Sequence, residues 1–253
     1  MSVRQPSFLS RALEPFQAGL WVLFLLWTVI VAVVWIGGFG AVEMEDVVTN
    51  AGLRSALDFL LRTLDAAWFA LAGANVYLAL AEAESLAVAR RWASAILGCA
   101  WIVAALSVWT AFPLGAIHYT ARLGMRIGPV PFGLLMMWLA FVIGARALAL
   151  RVMPRAGHFQ VCLAASALVG LTAANLDPLA WRFRALWLWR DAGQWGFLQN
   201  AATWMLAAFG LAFFMRETRV ASVSEGGFPR PAIVLIVLNF VFLMTHGARL
   251  LRD

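Results

Sequence analysis

Seven apolar runs divide the chain, at roughly 19–41, 57–80, 92–112, 129–150, 158–176, 196–215 and 231–248. About 20 such residues wound into a helix cover the roughly 30 Å of hydrocarbon in a bilayer. The pattern therefore predicts an all-α, polytopic transmembrane helix bundle of about seven spans, folded as a single integral membrane domain over 1–253. Turn-forming and charged residues punctuate the runs: "GGFG" with "EMED", "EAES" ahead of Arg90-Arg91, the polar loop around His118, "MPRAG", "NLDPLAWRFRALWLWRDAGQWG" and "SEGGFPRP". Asp177-Pro178 reads as the end of the fifth span, and 181–195 as a short interfacial helix, because Trp favours the headgroup level. Pro129 and Pro131 open the fourth span, where a missing N–H costs least. The first run follows a polar lead, Met1–Ala18, and exceeds the h-region of about 7–15 residues of a signal peptide, so it reads as a retained helix.

Parity then sorts the polar groups. With seven spans, the loops after spans 1, 3 and 5 share one face with the C-terminus. Asp58, Arg62 and Asp65 at the start of span 2, the His118 loop, the Asp177 loop and His246 are thus expected at one end of the bundle. Glu82, Glu84 and His158 are expected at the other.

Composition strengthens the membrane reading. The chain is 63% hydrophobic and 13% charged, with a mean hydropathy of +0.84, where soluble domains run near one half and one quarter. The net charge of +6 rests on arginine alone, since the sequence has no Lys. The arginines lie mainly at helix ends, where such side chains snorkel and set topology, so nucleic acid is not an expected partner. Their small bias favours an N-terminus in the cytoplasm, with the chain in the inner membrane of a bacterium. Cys99 and Cys162 lie in apolar runs without a CxxC and read as buried small hydrophobes.

Absences narrow the chemistry. Without Lys there is no retinal Schiff base. No GxGxxG offers a dinucleotide fold, and no pair of acidic motifs offers Mg²⁺ a diphosphate site. Three His with no HxxxH or HxxH do not make a di-iron centre. No metal and no cofactor are expected, and the chain is read as acting on or binding a wholly apolar molecule.

The remaining polar residues each carry two readings. Asp58, Arg62 and Asp65 are spaced i, i+4, i+7 on one helical face. Either a carboxyl is a proton donor lining a cavity, or Arg62 bridges two carboxylates. His118, before Tyr119 and Thr120, either relays protons or bonds loop backbone. Asp177 is either a turn-forming cap before Pro178 or an acid at the mouth of an apolar cavity. Trp181, Trp187, Trp189, Trp195 and Trp204 form either an interfacial belt or a set of electron-rich faces around a carbocation. Asn200 and Gln199 stand where a water could be positioned. His246, with Thr245 and Arg249, reads as a snorkelling helix end.

Two blocks carry a resemblance. "FPLGAIHYTARLG…GPVPFGLLMMW" is similar to the "FPFGxYxYTDxLG…GVPxxIxxxW" signature of the CruF-type carotenoid biosynthesis family, which includes carotenoid 1,2-hydratases and bisanhydrobacterioruberin hydratase. "NLDPLAWRFRALWLWRDAGQWGFLQNAATWML" resembles that family's "DPxxxxxxxWxWxxxGxYFGxPxxNFxGW", matching at Asp177, Pro178, Trp187, Trp189, Gly193, Gly196, Asn200 and Trp204. The likeness covers roughly 106–205. It departs at Ala104, Ala121 and Ala173, where the family pattern carries acids.

The resemblance implies hydration of the terminal 1,2 double bond of an acyclic or monocyclic carotenoid to a tertiary alcohol. Such chemistry needs a protonated carboxyl, aromatic faces for a tertiary cation and one positioned water. Asp177 is the leading acid, with Asp58 and Asp65 in reserve. Trp187, Trp189 and Trp204 face the cation, Asn200 holds the water, and His118 and Tyr119 orient the acid or the substrate end. The implied partners are a carotenoid or other long apolar isoprenoid and membrane lipid, with room for association with other carotenoid enzymes. The lost acids keep open a non-catalytic carotenoid- or lipid-binding protein on the same scaffold.

Overall fold

The computed structural model describes residues 8–38, 51–190, 196–215 and 228–252. Among these are seven α-helices: α1 (Phe8–Gly37), α2 (Ala51–Ala83), α3 (Leu86–Thr110), α4 (Phe132–Val152), α5 (His158–Arg182), α6 (Gly196–Phe214) and α7 (Arg230–Leu250). Each holds a stretch long and apolar enough to cross a bilayer, and the chain is an integral membrane protein. Glu43, Glu45, Asp46, Gly193 and Trp195 lie outside the described residues, as does the side chain of Asp58.

Helix α4 is apolar on nearly every side, Arg146 and Arg151 apart, and a helix of that kind belongs at the centre of a bundle. It packs against α2, α5 and α7. Backbones touch where side chains are absent: a Cβ on Gly73 of α2 would lie 2.6 Å from the Met136 carbonyl of α4, and one on Gly144 of α4 would lie 2.8 Å from the Pro231 carbonyl of α7. Small residues at crossings are how membrane helices gain packing without a hydrophobic driving force. The α4 residue Arg146 is buried and donates to the Ala212 and Met215 carbonyls at the C-terminal end of α6, where carbonyls run short of N–H partners from the helix itself. Helix α1 turns Val22, Leu26, Val29 and Val33 outward. Its inner face sets Trp35 against Trp68 and Phe242, with ring centroids 5.7 Å apart in both pairs.

Two expectations from the sequence are corrected. The fifth helix does not stop at Asp177-Pro178 but continues to Arg182. Pro178 cannot donate to the Ala174 carbonyl. At the next residue, the ring Nε2 of His246 on α7 donates to the Asn175 carbonyl at 2.8 Å, so this stretch of α5 is held by a neighbouring helix. Segment 181–195 forms no interfacial helix among its described residues. After a bend at Ala185 (φ 45°), Trp187–Trp189 is a strand, β4.

That strand pairs antiparallel with β1 (Ile117–Tyr119), in the register Ile117↔Trp189, His118↔Leu188, Tyr119↔Trp187. The loop continues through a 3₁₀ turn (Ala121–Leu123) and a short hairpin of β2 (Arg126–Ile127) and β3 (Val130–Pro131) into α4. Pro131 is the N-cap residue of α4, one position before the helix.

The polar groups divide between the two ends of the bundle as parity requires. At one end Arg184 pairs with Asp65, Arg252 donates to the Gly37 carbonyl at 3.1 Å and Arg249 lies over the Phe183 ring. At the other, Arg230 pairs with Glu82 at 3.2 Å and His158 Nε2 donates to the Phe213 carbonyl at 2.9 Å.

Candidate active site

The β1–β4 ribbon closes one end of a cleft between α4, α5 and α6. Thr120 fastens the ribbon to the chain after α5: its N–H donates to the Leu186 carbonyl at 3.0 Å and its hydroxyl to the Ala185 carbonyl at 2.7 Å. On the α3 side, Leu114 N–H donates to Ser107 Oγ at 3.0 Å, and Gln199 of α6 donates to the Pro113 carbonyl at 2.7 Å. The segment from Pro113 to Thr120 is thus pinned at one end to α3 and α6 and at the other to the stretch that follows α5.

The cleft holds about 280 Å³ of space between atoms, the open space at its mouth included. Hydrocarbon from Leu114, Ile117, Leu134, Met137, Ala173 and Leu176 makes most of its wall, and Tyr119, Trp138, Trp187, Asn200 and Trp204 complete it. Trp138 and Trp204 stack face to face, with centroids 3.6 Å apart and planes at 22°. A few placed polar groups in an apolar pocket are the usual makings of a small-molecule site.

Asp177 stands directly behind this wall with no solvent exposure. Its Oδ1 accepts two hydrogen bonds, from Trp187 Nε1 and from Asn200 Nδ2, both at 3.0 Å. Its Oδ2 is buried without a partner. A buried polar atom left unpaired costs about 1–3 kcal/mol, so it calls for an explanation. The phenol of Tyr119 is buried too. Its burial, and after it the charge Asp177 carries when ionised, raise the phenol above the ordinary tyrosine range and keep it protonated.

The candidates from the sequence separate into two groups. Asp177, Trp187, Asn200, Trp204 and Tyr119 come together at the cleft. Trp189 shares the strand face of Trp187 but sits at the rim, its ring so close that a Cβ on Gly115 would meet it at 2.9 Å. His118 falls between Ile117 and Tyr119 in the strand alternation and faces outward, exposed. Asp65 lies in a separate buried cluster: Oδ1 accepts from Trp35 Nε1 at 2.8 Å, and Oδ2 from Arg184 Nη2 at 2.9 Å and Nε at 3.2 Å. Of the three alanines at acid positions, Ala173 lines the cleft one turn before Asp177, Ala104 is buried in α3, and Ala121 is exposed. Sequence reasoning gave no role to Trp138, although it closes the first motif block, and none to Arg184, whose partner lies 119 residues away.

Compared with known proteins, residues 66–252 match the model of a family described as carotenoid biosynthesis protein. No curated protein and no solved structure matches the chain.

Proposed function

Because the chain belongs to the carotenoid biosynthesis protein family, we propose that this membrane protein adds water across the terminal 1,2 double bond of an acyclic or monocyclic carotenoid. The observation that carries the reading is the fully buried Asp177 carboxyl, fixed through one oxygen by two cleft residues and open at the other.

The isopropylidene end of such a carotenoid is a weak base, and its protonation needs a carboxylic acid held beside hydrocarbon. Asp177 gives its proton to C2, leaving a tertiary cation at C1. The faces of Trp138, Trp187 and Trp204 stabilise that cation. A single water, held by the Asn200 carboxamide, attacks C1 and returns a proton to Asp177. The product gains one hydrogen at C2 and a hydroxyl at C1, and the acid is restored. Trp187 and Asn200 orient the carboxyl throughout, and Tyr119 contributes a neutral phenol to the wall. The hydrocarbon lining keeps other water away until the cation forms.

Asp177→Asn keeps the shape and both donors to Oδ1 but removes the acid. Supplied with an acyclic carotenoid in a pigment-accumulating host, this variant is expected to form about 10²–10⁴-fold less hydroxylated product than wild type. Undiminished product removes Asp177 from the role.

A second reading, non-catalytic binding of a carotenoid or lipid, has its own support: Asp177 stands behind the wall rather than in it, and Ala173 puts a methyl group where a second acid would face the cleft. It predicts pigment that co-purifies with the chain and is recovered unhydrated.

A further inference from the structure

Four side-chain N or O atoms are buried without a hydrogen-bond partner among the described residues: Gln17 Nε2, Trp92 Nε1, Trp138 Nε1 and Asp177 Oδ2. Gln17 lies on α1 and Trp92 on α3, and neither lines the cleft. Asp177 stands behind the cleft wall, and Trp138 is part of it. Two other donors at that wall are committed: Trp187 Nε1 and Asn200 Nδ2 both go to Asp177 Oδ1. Trp138 is 3% exposed, and its ring is held by stacking on Trp204 and by Phe141, whose ring meets it at 5.3 Å and 80°. Stacking engages the faces of an indole, whereas its N–H lies in the ring plane. The Trp204 contact therefore fixes the ring without using the donor.

We propose that Trp138 is a ligand-contacting residue whose indole N–H holds an oxygen at the C1 end of the substrate, first that of the attacking water and then that of the tertiary alcohol. The inference rests on the reading of the cleft as a carotenoid hydration site. A neutral donor set in hydrocarbon selects a neutral acceptor. The lining carries no charged side chain to hold a phosphate or carboxylate, and an indole N–H donates only. Left unpaired, a buried N–H carries a desolvation cost that an oxygen placed on it removes. The cleft has room for about one water-sized group. Water has two lone pairs: one accepts from Trp138 and the other attacks C1, which leaves both O–H protons free for Asn200 and Asp177. The C1–O bond forms, one O–H bond breaks, and its proton returns to the Asp177 carboxylate. The oxygen stays on Trp138 throughout, so the indole touches it as water and as product.

The test uses two pairs of ligands that differ by one added water: an acyclic carotenoid with its 1-hydroxy product, and a short colourless acyclic terpene with its tertiary alcohol. The detergent-purified Asp177→Asn chain, in which the acid is absent, is the reference. Adding Trp138→Phe keeps an aromatic face on Trp204 and removes the N–H. It is expected to lower retention of the hydroxylated carotenoid by about two- to tenfold and to leave retention of the parent carotenoid unchanged. With Asp177 intact, Trp138→Phe is expected to lower kcat by a similar factor without raising KM. A second measurement leaves the ring in place: ultraviolet Raman difference spectra of the Asp177→Asn chain are expected to show an indole N–H becoming hydrogen-bonded with the short alcohol and not with the alkene. An indole band that the alcohol does not move overturns the inference, as does equal retention of the hydroxylated carotenoid with and without the N–H, and the cleft reading then stands. Wild type that retains neither carotenoid and forms no hydroxylated product overturns both.

Discussion

Asp65 and Asp177 begin alike. Each is fully buried in a membrane helix and accepts a hydrogen bond from an indole, Trp35 in one case and Trp187 in the other. They differ in what meets the second oxygen. Asp65 Oδ2 is clasped by the buried guanidinium of Arg184, which ties α2 to the segment between α5 and β4. Asp177 Oδ2 meets nothing. A carboxylate with its counter-ion and all its hydrogen bonds is a structural joint, because its charge is neutralised where it sits. A carboxyl anchored through one oxygen and open at the other keeps the capacity to hold and release a proton. The neighbours, rather than burial or residue type, separate a brace from a candidate acid.

The comparison breaks most visibly if the brace is cut. Arg184→Leu leaves the Asp65 charge buried without its cation, and is expected to destabilise the protein by about 3–5 kcal/mol in detergent unfolding. The double variant Asp65→Asn, Arg184→Leu removes the charge as well and is expected to recover part of that loss. A single variant that unfolds like wild type would mean that the pair does no structural work.

Next in size is the anchor on the other side. Trp187→Phe keeps the ring in the cleft wall and removes one of two donors to Asp177 Oδ1. We expect product formation to fall by about five- to a hundredfold, equivalent to about 1–3 kcal/mol for a lost hydrogen bond to a charged or buried acceptor. Pigment retention is expected to hold, since the aromatic face stays. Retention lost in step with product would make Trp187 a packing residue only.

Much of this contrast is legible in the sequence. Seven runs of hydrocarbon length place the spans, and parity places Asp65, the His118 loop and Asp177 at one end. Asp177, Trp187, Asn200 and Trp204 stood out as polar and aromatic residues in an apolar background. What escaped was long-range or masked by strong local punctuation. The Asp65–Arg184 contact spans 119 residues, and a helix-face reading supplied a nearer partner in Arg62. Pro178 reads as a stop, yet α5 passes through it beside a donor from another helix. Strands of three residues are too short to show alternation within an apolar stretch, so the pairing of Ile117 with Trp189 left no local mark. That pairing decides which of His118 and Tyr119 faces the cleft.

A smaller effect sharpens the claim about Asp177. If its open oxygen is poised for chemistry and contributes nothing to folding, Asp177→Asn should change stability by less than about 1 kcal/mol while cutting product by about 10²–10⁴-fold. A loss comparable to that of Arg184→Leu would class the two aspartates together as braces.

The smallest expected effect isolates burial as the cause. Arg230 and Glu82 also form an ion pair joining two helices, α7 and α2, at 3.2 Å, but their side chains are 45% and 51% exposed. Water already solvates both charges, so breaking the pair strands neither of them. Such exposed pairs contribute about 0–1 kcal/mol, and salt screens them further. Glu82→Gln is therefore expected to shift the unfolding midpoint barely, and less still in high salt. The buried pair of Asp65 and Arg184 should keep its effect in the same buffer. If Glu82→Gln proved as damaging as Arg184→Leu, interhelical ion pairs as such would hold this bundle together. The contrast between a closed and an open buried carboxyl would then lose its physical basis.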